Sequence, residues 1–290
     1  MLSWAGRMAP ALPPLALSAL CAAPAAAQTS QPAPTAPARW HLDGSTDRCL
    51  LSRRLEGTPL AANFILRTIP GSGRYDVSLA APGLPSDVRR PGRRSVLTLS
   101  PGGTGHVREG VAVDLPDAVG SGVAFGPLPA LLIAELARAS AVTLADDQGP
   151  PLGRWTLPIA ARAAEALAAC EAEKLVDWGA DPAGFEPGAT PARPTRDPAT
   201  WLTIRDFGLA TTSQSAAYTV VFRLAVGADG KPTDCRVIES AGNVDLTGAC
   251  RALSSRARYE PARDSSGNPI RSVAVHVSGM RVDVEVRIVP

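Results

Sequence analysis

Histidine is scarce, with only His41, His106 and His276 in 290 residues, and the three lie far apart. No His-Glu-x-x-His or comparable ligand spacing exists, so a helical zinc site is excluded and these histidines are expected at the surface or satisfied by neighbours. A CxxC pair is also missing, and no histidine lies close to a cysteine, so cysteine-based zinc ligation is not expected. Aromatics make up 4% of the chain, and 29 Lys and Arg nearly balance 27 Asp and Glu, giving a net charge of +2. A basic footprint for nucleic acid is therefore absent. "SPGGTGH" at 100–106 has glycines but lacks the Lys-Ser/Thr and the following helix of a phosphate loop, and no GxSxG elbow occurs. The chain is expected not to be an enzyme and to carry no cofactor and no metal. An activity in the N-terminal half would require a polar pocket with a titratable pair between residues 40 and 178.

No long hydrophobic run is present either. The longest lies in residues 1–27, where Arg7 precedes an apolar stretch from Met8 through Ala23, interrupted by Pro10, Pro13 and Pro14 and followed by Ala25-Ala26-Ala27. That is the layout of a cleavable export signal, and it falls short of the ~20 residues of a spanning helix. Cleavage before Gln28 is expected, which makes the protein periplasmic; contact with a membrane follows only if the segment is kept. Cys21 follows Leu20 rather than a small residue, which argues against lipid attachment.

Without the signal, Cys49, Cys170, Cys235 and Cys250 remain, an even number in a chain sent to an oxidising compartment, so two disulfides are expected. Three pairings are available on paper. In "IAARAAEALAACEAEKLVDW", Ala163, Leu167 and Cys170 share a helical face, and Cys49 follows the first predicted strand, which favours Cys49 as the partner of Cys170. Cys235 lies on the covered side of a predicted hairpin and Cys250 on the stripe of a short helix with Leu246 and Leu253. Their bridge would close a loop of about 15 residues, worth on the order of 3 kcal/mol.

The chain divides by composition into five parts. Residues 1–27 are the signal, 28–39 a Pro/Ala-rich leader, 40–178 an N-terminal domain, 179–198 a Pro-rich linker and 199–290 a C-terminal domain. The class expected is α+β. In the N-terminal domain "RYDVSLA", "RSVLTLS", "GVAVDLP", "SAVTLAD" and "GRWTLPI" read as strands, and "PLPALLIAELARA" and the Cys170 segment as helices. In the C-terminal domain Tyr218, Val220, Phe222, Leu224 and Val226 alternate along one strand, Gly227-Ala228-Asp229-Gly230 turns, and Cys235 and Val237 return. Asn243 is the expected cap of the following helix. The last strand changes parity: Val273, Val275 and Val277 are odd-numbered, whereas Val282, Val284, Val286 and Ile288 are even-numbered, so a bulge or break is expected near Ser278-Gly279.

"FRLAVGADGKPTDCRVIESAGN", a helix ending in "RARYEPA" and the turn "RDSSGNPI" follow one another in register. Over about residues 197–280 this order resembles the C-terminal domain of TonB-type energy transducers. The residues carrying the motif are Gly230, Gly242, Tyr259, Pro261 and Ala262. The resemblance implies an antiparallel sheet with a helix packed on one face. It also implies a partner, a segment of a TonB-dependent outer-membrane receptor that joins the sheet as an added strand. The edge implied is the last strand, near Val273, Val275 and Val277; the alternative is that these valines fill the domain's own core. A non-enzymatic, periplasmic binding module of outer-membrane transport is the function implied, with a homodimer compatible with it. The other function considered is an exported envelope scaffold or cell-wall-binding protein that uses the fold without transducing energy. The departures from a full transducer are that no His stands in residues 1–27 and that a domain replaces the long Pro-rich spacer.

Overall fold

In Ala62–Thr68 every second side chain is buried, which is the period of a strand with one face on a core. This pattern recurs through the first half of the computed structural model, which describes residues 39–82, 84, 94–109, 111–114, 121–147, 149–208, 216–241 and 246–282. The elements in order are β1 (His41–Asp43), β2 (Cys49–Leu55), β3 (Gly57–Thr58), β4 (Ala62–Thr68), β5 (Arg74–Ala81), β6 (Arg94–Ser100), β7 (His106–Glu109), β8 (Val111–Asp114) and β9 (Ser121–Pro129). Then come α1 (Leu131–Arg138), β10 (Ala141–Asp146), β11 (Pro151–Thr156) and α2 (Ala160–Asp177). The strands form two antiparallel sheets, ordered β1-β2-β4-β5-β9-β8 and β3-β11-β10-β6-β7. Leu51, Phe64 and Leu79 of the first sheet meet Leu97, Val142 and Trp155 of the second in one apolar core, closed by Leu136 of α1 and Leu167 of α2. Trp155 is fully buried, and its indole N–H donates to the Leu60 carbonyl at 2.7 Å, so the ring's one polar atom is satisfied.

The second half contributes β12 (Arg193–Pro194), β13 (Ala216–Val226), β14 (Pro232–Ala241), α3 (Thr247–Arg256), β15 (Tyr259–Glu260), β16 (Ala262–Arg263), β17 (Pro269–Ile270) and β18 (Ser272–Val282). With its helices and antiparallel sheets the chain is of mixed α+β class. A second apolar core gathers Trp201, Phe207, Val220, Phe222, Leu224 and Leu253. The three-stranded sheet is ordered β14-β13-β18, and α3 buries Ala249, Ala252 and Leu253. The helix begins after Leu246 without a side-chain cap; Asn243 lies outside the described residues, as does the motif residue Gly242.

Both expected disulfides are present. Cys49–Cys170 ties β2 to α2 and Cys235–Cys250 ties β14 to α3, with Cα separations of 6.1 and 5.6 Å.

The parity change in the last strand does not produce a bulge within the described residues. β13 and β18 stay in register from Ala216↔Val282 to Val226↔Ser272, passing through Thr219↔Gly279 and Val220↔Ser278 without a shift. The reason is that both faces of β18 are covered. Ala274 and His276 stand opposite Leu224 and Phe222 on the side of the second core, while Val275 on the other face comes up to Gly71. Over 273–277 an apolar residue of either parity thus finds a covered face, while Val284, Val286 and Ile288 lie outside the described residues. The irregularities fall instead between β13 and β14, at Val221/Phe222 and Ala225/Val226.

Residues 179–198, read as a linker, are bonded along the end of α3 and the strands that follow it. β12 pairs with β15, the Thr190 N–H donates to the Arg263 carbonyl at 2.9 Å, and the Thr195 N–H to that of Arg258 at 3.0 Å. Proline fixes an extended backbone in a free spacer and in a docked strap alike, so composition alone does not distinguish them.

Candidate functional site

β18 is an outer strand: among the described residues only β13 pairs with it. Just before it, the Arg271 carbonyl accepts from the Asp181 N–H at 3.1 Å on the strap side. Alternate residues of a strand direct their N–H and C=O to the same edge, so Val273, Val275 and Val277 present theirs along the open side. These are the three residues singled out from the sequence, and all three are half-buried.

A groove of about 690 Å³ runs along this edge. One wall is aromatic. Trp201 meets Tyr259 edge-on with ring centroids 5.2 Å apart, and His276 lies 5.8 Å from Trp201. Burial lowers the basicity of His276, and the positive charge of Arg74 lowers it further, so the imidazole is neutral at neutral pH. Burial also raises the Tyr259 hydroxyl pKa far above its ordinary value. The buried Trp201 Nε1 and Ser272 Oγ have no hydrogen-bond partner among the described residues.

The opposite wall comes from the first half of the chain, through the turn between β4 and β5 and the end of α2. Gly71 sits so close to this contact that a Cβ there would stand 3.1 Å from Leu175 and 3.5 Å from Val275. Glu171 of α2 braces both stems of the turn. Its two carboxylate oxygens accept from Thr68 Oγ1 and from the Tyr75 hydroxyl, each at 3.0 Å, and Thr68 Oγ1 also lies 3.1 Å from the Arg74 carbonyl. Burial raises the Glu171 carboxyl pKa against the pull of these hydrogen bonds. Two further contacts hold the halves together: the Arg223 guanidinium lies 5.2 Å from the Trp178 ring centroid, and Arg48 pairs with Glu239.

Of the described motif residues, Tyr259 and Ala262 line the groove. Gly230, in the left-handed region at φ +78°, accepts at its carbonyl from the Tyr259 N–H at 2.9 Å, and a Cβ on it would fall 2.0 Å from the Tyr259 carbonyl oxygen. Pro261 follows the extended pair Tyr259–Glu260, and Ala262 is buried opposite Ile270. The turn between β16 and β17 is closed by Asp264, whose carboxylate accepts from the backbone N–H groups of Ser266 and Asn268.

Besides Tyr75–Glu171, the first half holds a second titratable pair, His106–Glu135. It lies in its interior, with Nε2 2.7 Å from Oε2 and both residues buried. Glu135 Oε1 accepts from the Thr104 N–H at 3.1 Å and its hydroxyl at 2.7 Å. The glycine-rich stretch "SPGGTGH" therefore serves to dock a turn onto α1. Burial acts to raise the Glu135 pKa, but hydrogen bonds from Thr104 and His106 outweigh it and hold the carboxyl below its ordinary value. A Glu135→Ala variant leaves these donors without an acceptor and is expected to lose about 3 kcal/mol, read from the urea midpoint at neutral pH. The carboxyl pKa is lower in the folded chain than in the unfolded one. Its contribution is thus complete above the unfolded value and vanishes as pH falls through the folded one, so the gap between variant and wild type closes in acid.

Among the described residues no group of three or more His, Cys, Asp or Glu is placed to hold a metal, and no helix is long and apolar enough to cross a membrane. Arg74, Glu171, Trp201 and His276 were not singled out as site residues from the sequence. Only His276 carried a signal, as the one ring-bearing polar residue among alternating small and apolar ones in 272–280. No family model, curated protein or solved structure matches this chain.

Proposed function

We propose that this chain is an exported, periplasmic protein-binding module that accepts an extended segment of a partner as an added strand on β18. The observation that carries the reading is the open edge at Val273, Val275 and Val277, which is bordered by a groove long enough to follow it. Main-chain pairing supplies affinity in this mode, and flanking pockets select alternate side chains. Two disulfides fit an oxidising compartment.

The TonB-like reading of the C-terminal domain draws support from the order β14-β13-β18 with α3 on one face, and from the docking of Gly230 on Tyr259. On that reading the partner is the extended N-terminal segment of a TonB-dependent outer-membrane receptor. Titration of the oxidised chain with fluorescently labelled peptides from such receptors tests it. Saturable binding that survives substitution of single side chains but is abolished by N-methylation of alternate peptide nitrogens is the expected result. If no receptor segment binds, the transport role falls. Retention on purified cell wall in its place would favour a scaffold.

A further inference from the structure

We propose that the N-terminal half completes the strand-addition groove, with Arg74 as the residue that selects an added segment bearing a carboxylate side chain. The inference rests on strand addition at β18. It goes further in making the first domain part of the binding site.

Arg74 lies in the groove wall on the first residue of β5, is exposed, and is close enough to His276 for its charge to act on the imidazole. Among the described residues its guanidinium has no carboxylate partner. The neighbouring Arg67 and Asp76 pair with each other. Glu171 has one oxygen engaged by Thr68 and the other by Tyr75. The two groove carboxylates are also engaged: Asp181 Oδ1 accepts from the Ala183 N–H at 3.1 Å and Asp197 Oδ1 from the Ala199 N–H at 2.9 Å. Each of these carboxylates keeps its negative charge, so the groove lining carries Asp181 and Asp197 beside the cations Arg74 and Arg271, and neither cation pairs with a carboxylate among the described residues. An acidic side chain set against the unpaired Arg74 complements it, whereas a basic one at that position does not.

The placement of Arg74 is braced rather than floppy. The β4–β5 turn is held at both stems through Thr68, Tyr75 and Glu171, α2 is covalently fixed to β2, and Gly71 packs on Leu175. A side chain on a braced turn loses less freedom on forming a charge-assisted hydrogen bond. A strand added to β18 alternates its side chains between two directions, so a reader on one wall sees every second residue.

The test uses the oxidised full chain and labelled nonapeptides of alternating valine and threonine, with a single glutamate walked through the sequence and a matched glutamine set. In wild type the best glutamate peptide should bind about tenfold tighter than its glutamine counterpart at low salt, and the advantage should shrink in 1 M salt. Arg74→Gln should abolish that preference, so that each glutamate peptide binds like its glutamine counterpart, and Arg74→Lys should restore part of it. Equal preference in wild type and Arg74→Gln overturns the inference and leaves strand addition standing. Failure of both peptide sets to bind overturns strand addition and the inference with it.

Discussion

Replacing Cys49 and Cys170 together by alanine is expected to lower stability by about 5 kcal/mol, the largest loss of any single cross-link in the chain. The bridge spans 121 residues, against 15 for Cys235–Cys250, and the loop-closure entropy removed from the unfolded chain rises with the logarithm of that span. Removing the shorter bridge should cost about 3 kcal/mol. The packing term acts in the same direction: Cys49 is fully buried and Cys170 nearly so, whereas Cys235 and Cys250 are half-buried. At roughly 2–4 °C per kcal/mol for a chain of this size, the first variant should melt about 10–20 °C lower. Paired thermal scans of the two double variants decide the order. A larger drop from Cys235→Ala with Cys250→Ala would contradict it.

Gly230→Val should cost about 4 kcal/mol, although the position lies on a turn between exposed residues. Two effects combine. The backbone at φ +78° is open to glycine and strained for a β-branched residue. In addition, the new Cβ would fall 2.0 Å from the Tyr259 carbonyl oxygen, a backbone atom that cannot move aside without breaking the 2.9 Å bond from Tyr259 N–H to the Gly230 carbonyl. Gly267, also in the left-handed region at φ +86°, has no atom within 4 Å of an added Cβ. Gly267→Val is thus the matched control for strain without the clash, and should lose about 1–2 kcal/mol. Denaturant midpoints of the two variants separate the terms; equal losses would mean that the turn does not dock on Tyr259.

The parts of this fold that show in the sequence are those set by short-range periodicity. Alternation at 74–80, 94–100 and 140–146 marks β5, β6 and β10, and the shared face of Ala163, Leu167 and Cys170 on α2 points one cysteine inward toward Cys49. Alternation misled at Ser278-Gly279, because the parity rule assumes one covered face and β18 has two. The second cover includes the β4–β5 turn, where Gly71 comes up to Val275 across some 200 positions of sequence. Nothing local in "PGSGRYD" announces that contact. The same distance hid the groove: Arg74, Leu175, Trp201 and His276 come from four separate stretches of the chain, and of these only His276 stood out in its own surroundings. Thr104, His106 and Glu135 show the reverse case, a motif visible in sequence whose purpose emerged only with α1 beside it. The signal segment 1–27 and the leader up to residue 38 lie outside the described residues.

Backbone amide exchange along β18, measured by NMR in the oxidised chain with and without a saturating receptor peptide, tests strand addition most directly. In the free chain the Val273, Val275 and Val277 amides should exchange faster than those of Ala274 and His276, which face β13. On binding, protection should rise at the three valines and stay unchanged at the other two. Protection gained along β14 instead, or none gained while the peptide is bound, would contradict a strand added to the β18 edge.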